Sequence, residues 1–159
     1  MSVWRVSLTA AFIWVAQAGT ATDNDLSALY VERLDGSEVK FTLEDLDALE
    51  QVGFSTSTVW TDGINHFSGV SILNLLEHAE AEGSTLRMVA LNDYSIEMPV
   101  EELDEKAPIV ASRMNGDTMS IREKGPFWVI YPFDSDPEFA SEINRSRSVW
   151  QLSRLVLVK

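Results

Sequence analysis

The side chains able to do chemistry fall into three groups. Two histidines, His66 and His78, are the only imidazoles in the chain. His78 lies among Glu77, Glu80 and Glu82 and reads as a surface histidine beside carboxylates, without the spacing of a metal-binding pair. His66 lies in Asp62-Gly63-Ile64-Asn65-His66-Phe67, which reads as a loop too poor in donors for a structural metal. A second group, Glu97, Glu101, Glu102, Asp104 and Glu105, contains enough carboxylates for acid–base work, yet a charge run of this kind reads first as a solvated face. The third group is Arg145, Arg147, Trp150 and Arg154. Guanidinium forks beside an indole suit a planar, oxygen-rich or anionic ligand. The same residues also suit a core tryptophan ringed by surface ion pairs, and the sequence leaves both readings open. No G-x-S-x-G elbow and no P-loop occurs.

These groups must be positioned by a single domain. The chain has 159 residues, 45% of them apolar, which is a globular composition. Its net charge of −13 opposes binding to phosphate backbones or anionic membranes. The absence of cysteine excludes disulfides, thiol catalysis and thiolate-bound metals.

The start of the chain has the layout of a secretory signal peptide. Arg5 precedes the apolar run Ala10–Ala16, and Ala16-Gln17-Ala18 offers an A-x-A cleavage pattern. The expected organisation is a signal peptide over 1–18, a flexible lead-in over 19–27 and one domain over 28–159. The expected location is the periplasm.

Leu29–Leu34 and Glu38–Phe41 bracket Asp35-Gly36, a hairpin signal. Thr42 and Asp45 predict the N-terminus of a short helix with Leu43, Leu46 and Leu49 on one face, stopped near Gly53. Phe54–Thr61 predicts a strand. Ser71 opens a second helix, with Ile72, Leu75, Leu76 and Ala79 inward and Gly83 as its C-terminal cap. Leu86–Leu91 and Tyr94–Met98 predict paired strands. Ile109–Met114 and Thr118–Ile121 flank Asn115-Gly116, a type I′ turn signal. Phe127–Tyr131 reads as a strand covered on both faces, and Val149–Val158 as the last strand. Strands outnumber helices without βαβ alternation, so the predicted class is α+β, dominated by sheet.

Ala111-Ser112-Arg113-Met114-Asn115-Gly116 leads on to Lys124-Gly125-Pro126-Phe127-Trp128-Val129-Ile130-Tyr131-Pro132. This resembles the molybdopterin-binding domain of the sulfite oxidase family. Trp60, the run Phe67-Ser68-Gly69-Val70 and the Leu75-Leu76 helix are similar to the same family's upstream element. The resemblance covers 28–159. It also shows departures: the family's metal-binding cysteine is missing, with Thr56 nearest its place, and Trp128 stands where an arginine would help hold the phosphorylated cofactor. Arg147 matches a basic position before the final strand.

Arg145-Ser146-Arg147-Ser148-Val149-Trp150-Gln151-Leu152 is similar to the C-terminal signature of small, cysteine-free periplasmic pterin-binding regulators. The resemblance implies a reduced pterin without molybdenum as ligand, and as partner a membrane-bound sensor that makes or degrades cyclic di-GMP. It points to Trp60, Tyr94 and Trp150 as stacking or wall residues and to Asn92 and Asp93 as readers of the ring edge. Arg113, Arg147 and Ser148 would serve carbonyl and hydroxyl groups. The chemistry of a pterin, a flat ring with a donor–acceptor edge, calls for such a set. A molybdopterin-dependent oxidoreductase with an atypical site, and an interaction protein without a pocket, remain the other two classes at this point.

Overall fold

The computed structural model describes residues 25–159; the expected signal peptide and the first part of the expected lead-in lie outside the described residues. Asp25–Ser27, the rest of that lead-in, form a turn in which the Ser27 N–H and hydroxyl both donate to Asp25, and Lys40 pairs with the same carboxylate.

Two sheets organise the described residues, one mixed and one antiparallel. β1 (Leu29–Glu32), β2 (Glu38–Phe41), β5 (Thr85–Ala90), β6 (Ser95–Pro99) and β10 (Leu152–Val158) form sheet A in the order β2-β1-β10-β5-β6. Its one parallel pairing joins β1 to β10. β3 (Val52–Thr58), β4 (Thr61–Ser71), β7 (Ile109–Met114) and β8 (Asp117–Thr118) form sheet B in that order. β9 (Trp128–Ile130) pairs with the first half of β7. The helices are short: α1 (Leu43–Asp47), α2 (Ile72–His78) and α3 (Glu142–Arg147). None of the described helices is long and apolar enough to cross a membrane.

The main core draws Leu29, Val31 and Leu155 from sheet A, Val70, Val110 and Val129 from sheet B, and Leu46, Ile72 and Leu75 from the helices. A smaller cluster, with Phe67, Ile109 and Trp128, lies on the other face of sheet B. β9 alternates between them: Val129 faces one cluster and Trp128 and Ile130 the other, so this strand is buried on both faces as its apolar run predicts. Its outer edge is closed by backbone bonds. Val129 N–H donates to Val149 O and Leu152 N–H to Phe127 O, which joins sheet B to the start of β10. The fold is thus α+β and sheet-dominated.

Local chemistry explains most boundaries. Thr42 and Asp45 form the capping box of α1. Asn115 and Gly116 both have positive φ, 55° and 87°, as a type I′ turn requires. Gly69 sits at a bulge between β4 and β7, where a Cβ would lie 1.9 Å from Val110 O. Only glycine fits that approach.

Several expectations are corrected. The segment 62–67 is not a loop but part of the eleven-residue β4; its polar side chains face solvent while Phe67 is buried. The preceding strand therefore ends at Thr58, and the chain reverses at Val59-Trp60. Gly53 does not stop α1, which ends at Asp47; it lies within β3, against the His66 ring. Gly83 is not the cap of α2. Glu80 takes the left-handed position at φ 49°, and the bonds Ala81 N–H to Leu76 O and Glu80 N–H to Glu77 O complete a Schellman motif. The expected strand 118–121 shortens to β8, because Ser120 caps a 3-10 turn over Ile121–Glu123. The last strand begins at Leu152, since Gln151 at φ 51° breaks the extended run. α3 was not predicted. Its signal is Ser141, which accepts from Asn144 N–H as an N-cap.

Candidate functional site

Three connections meet at one end of the two sheets. The β3–β4 reversal brings Val59 and Trp60. The β5–β6 turn brings Ala90, Asn92 and Tyr94. α3 and its exit bring Glu142, Arg145, Ser146, Ser148, Val149 and Trp150. Together they line a cleft of about 490 Å³. A smaller recess of about 160 Å³ adjoins it, sharing Val59, Trp60 and Arg145 and adding Ser57, Thr58 and Asp134.

Each wall is held by local bonds. In the β5–β6 turn Asp93 has a φ of 64°, its N–H donates to Ala90 O, and Tyr94 N–H donates to Asn92 Oδ1 at 3.2 Å. That bond leaves the Asn92 Nδ2 donors for a ligand. Leu91 N–H donates to Gln151 O, tying the turn to the segment that carries Trp150. The Tyr94 hydroxyl reaches across to Ser146 O at 3.3 Å and bridges the cleft's two polar sides. The Ser148 hydroxyl donates to Asn144 O at 2.8 Å, and Ser148 O accepts from Trp128 Nε1 at 3.2 Å.

The aromatic wall is a set of indoles packed edge to face. Trp60 meets Trp150 and Trp128 with ring centroids 5.9 Å apart in each case, at interplanar angles of 71° and 63°. This geometry fixes the ring planes. Trp128 is fully buried behind the cleft, and Trp150 keeps 39% exposure. Lys124 Nζ lies 4.9 Å from the Trp150 centroid, within cation–π range. Arg145 pairs with Glu142 on the same helix, so the cleft's two opposite charges are already matched. The whole is an apolar slot with donors and acceptors at its rim, suited to a flat heterocycle that keeps a polar edge.

Of the residues expected from the sequence, the cleft gathers Trp60, Asn92, Tyr94, Ser148 and Trp150. It does not gather the other three. Asp93 lines a separate small groove with Asp25, Tyr30 and Arg154. Arg113 points to α1 and makes a two-pronged ion pair with Asp47, which holds that carboxyl below its usual range. Arg147 turns away to Glu102 at 2.5 Å, beside the buried Tyr131. Burial of Tyr131 pushes its phenol up to about 12, against the opposing charge of Arg147. Arg145, noted in the sequence only as part of the basic cluster, takes the place expected for Arg147. Glu142 and Ser146 were missed because α3 was missed: a helix brings residues three and four apart onto one face.

Thr56 is fully buried, and its hydroxyl accepts from Asp134 N–H at 3.1 Å. Asp134 in turn takes the Ser57 N–H and hydroxyl, which hold its carboxyl below the usual range. The hydroxyl nearest the family's metal ligand is therefore engaged in holding a loop. Among the described residues no three His, Cys, Asp or Glu side chains are grouped to hold a metal ion. With no thiolate in the chain, the residues present do not fit a sulfur-ligated molybdenum.

No protein-family model and no curated protein matches the chain. Solved structures do. The crystal structure of the sulfane dehydrogenase SoxCD from Paracoccus pantotrophus matches over 81% of this chain with a TM-score of 0.59 and 17% identity. The fold is sulfite-oxidase-like. The match covers 37% of the SoxCD chain, so this protein corresponds to little more than a third of that chain's length. At this identity the likeness speaks for the fold alone.

Proposed function

We propose that the protein binds a reduced, metal-free pterin in the Trp60–Trp150 cleft and acts as a non-catalytic periplasmic regulator. Its partner would be a membrane-bound enzyme that makes or degrades cyclic di-GMP. The observation that supports this most is the pairing of an indole-walled slot with a polar rim: Trp150 offers a partly open ring, Asn92 donates to a ring edge, Arg145 offers guanidinium donors, and the Tyr94 and Ser148 hydroxyl oxygens, whose protons go to Ser146 O and Asn144 O, are left to accept. The volume lies within the usual range for small-molecule sites, roughly 300–1,000 Å³. The missing thiolate favours a pterin without metal.

Signalling requires that ligand favour one conformation over another. α3 is the element placed to respond. It supplies Glu142, Arg145 and Ser146 to the cleft and ties to Glu102 through Arg147. The acidic surface favours a partner face of opposite charge, with association that weakens in salt.

The test is anaerobic calorimetry with dihydro- and tetrahydropterins, beside mass spectrometry and molybdenum counting on protein purified gently from its native periplasm. Micromolar or tighter binding, and a metal-free pterin in the released material, are expected. Trp150→Ala should weaken binding at least tenfold, in line with about 1–3 kcal/mol for stacking of a base-like ring. No binding at millimolar pterin would end the proposal. Molybdenum near one equivalent would restore the oxidoreductase.

A further inference from the structure

The two sheets leave four edges among the described residues, and three are guarded. β2 carries Glu38 and Lys40, paired with Arg154 and Asp25. β6 carries Glu97, paired with Arg87, and ends in Pro99. At the far end of sheet B, β8 has two residues and β9 is closed by the segment 149–152. Charges, proline and short strands are the usual means of blocking edge-to-edge pairing.

β3 has none of these. Val52-Gly53-Phe54-Ser55-Thr56-Ser57-Thr58 contains no charge and no proline, and it ends the strand order of sheet B. Its outward backbone groups can be assigned from two bonds. His66 exchanges bonds with Asn115, on the side of β4 away from β3, so Asn65 and Phe67 face β3 and pair with Thr56 and Phe54. Ser57 N–H goes to Asp134 and not to β4. Backbone direction alternates along a strand, so Gly53 and Ser55 point outward with Ser57. Both are exposed, and no backbone partner bonds them on that side among the described residues.

The ends of this edge are acidic. Glu50 is exposed two residues before Val52, and Asp134, also exposed, bonds Ser57 at the far end. A second copy of the chain would bring the same acids against them, and like charges disfavour that pairing.

We propose that β3 is a docking edge for an extended segment of a partner protein, added as a further strand and flanked by Lys or Arg. Gly53 and Ser55 exchange main-chain hydrogen bonds with that segment, and the flanking acids select its basic ends. This is strand addition, in which the ladder supplies affinity and the flanks supply specificity.

The test is selection from a displayed library of random octapeptides against the full-length protein, followed by binding of the enriched peptides by fluorescence anisotropy. Enrichment of Lys or Arg at the peptide ends is expected, with slowed exchange of the Gly53 and Ser55 amides in the complex. Ser55→Pro removes one outward donor at unchanged charge and should weaken binding at least tenfold. Ser55→Lys, which places a like charge on the edge, should do the same and serves if the proline variant is unstable. Pterin titration of either variant should be unchanged, which separates this surface from the cleft. Peptides without a basic bias, binding indifferent to both variants, failure of any peptide to enrich, or a concentration-dependent dimer lost in Ser55→Lys would overturn the proposal.

Discussion

Sheet A holds its charged side chains close to home: Arg87 meets Glu97 on the next strand, and Arg154 meets Glu38 two strands away. The cleft at the end of the two sheets is held differently. Asp134 reaches Ser57, Trp128 reaches Ser148 O, and Tyr94 reaches Ser146 O, each joining a loop or a helix and its exit to another element. Sheet A is thus tied strand to strand, and the cleft is tied by bonds that reach its connections. The difference predicts where a single substitution does most damage: at the buried side chains that tie a strand to a connection.

Trp128→Ala gives the largest effect. The indole is fully buried, packs edge to face on Trp60 and Phe67, and donates to the segment that carries Trp150. A cavity of that size costs about 3–5 kcal/mol. Urea unfolding should show that loss, and Trp60 fluorescence should change with the loss of its neighbour. A loss under about 1 kcal/mol would mean the two halves of the molecule do not depend on this joint.

The next effect is a pH dependence from the same interior. Tyr131 has its phenol raised to about 12 by burial, against 10 for the free side chain. Being raised in the folded state, it leaves stability intact below pH 10 and removes it as pH climbs toward 12, because the unfolded chain ionises first. A two-unit gap corresponds to a loss of about 2 kcal/mol by pH 12. Tyr131→Phe should flatten that alkaline limb in denaturation curves taken between pH 8 and 12. An unchanged slope would place the loss elsewhere.

A different contrast, between features written in adjacent residues and contacts made across the fold, explains what could be read in advance. The capping box of Thr42 and Asp45, the Asn115-Gly116 turn and the buried run at β9 are written in adjacent residues, and they appear where the sequence placed them. β4 was missed as a strand, its first half because Asp62, Gly63, Asn65 and His66 are not apolar. An outer strand end with both neighbours solvated needs no apolar alternation. α3 was missed because six residues with none fully buried give no periodic apolar signal. Five of the eight expected site residues meet in the cleft, carried by connections whose spacing the resemblance supplied. Choosing between Arg145 and Arg147 required the helix: two residues apart, they point to different sides, one to the cleft and one to Glu102.

That choice can be sharpened by experiment. Arg145→Ala should weaken pterin binding about tenfold, with a melting temperature within a few degrees of the parent. Arg147→Ala should do the reverse. Its side chain is 11% exposed, so losing the pair with the half-exposed Glu102 should cost about 1–2 kcal/mol, discounted from the value for fully buried pairs. Calorimetric titration beside thermal unfolding of both variants separates the roles. Equal loss of affinity in the two would show that α3 acts as one rigid wall.

The smallest effect compares one ion pair from each sheet. Arg113 and Asp47 make two parallel bonds between β7 and α1, while Arg87 and Glu97 are both nearly half exposed on sheet A. Double-mutant cycles should give about 0.2–1 kcal/mol for each, with the Arg113 pair at the upper end because its geometry is two-pronged and its arginine less exposed. The hydrogen bonds from Arg113 hold the Asp47 carboxyl below its usual range, so this contribution is present at neutral pH and fades as acid protonates Asp47 in the folded state. Asp47→Asn should remove that acid dependence and little else. If it instead reduced pterin affinity, Arg113 would act on the cleft without lining it, and the separation between the two regions would fail at that residue.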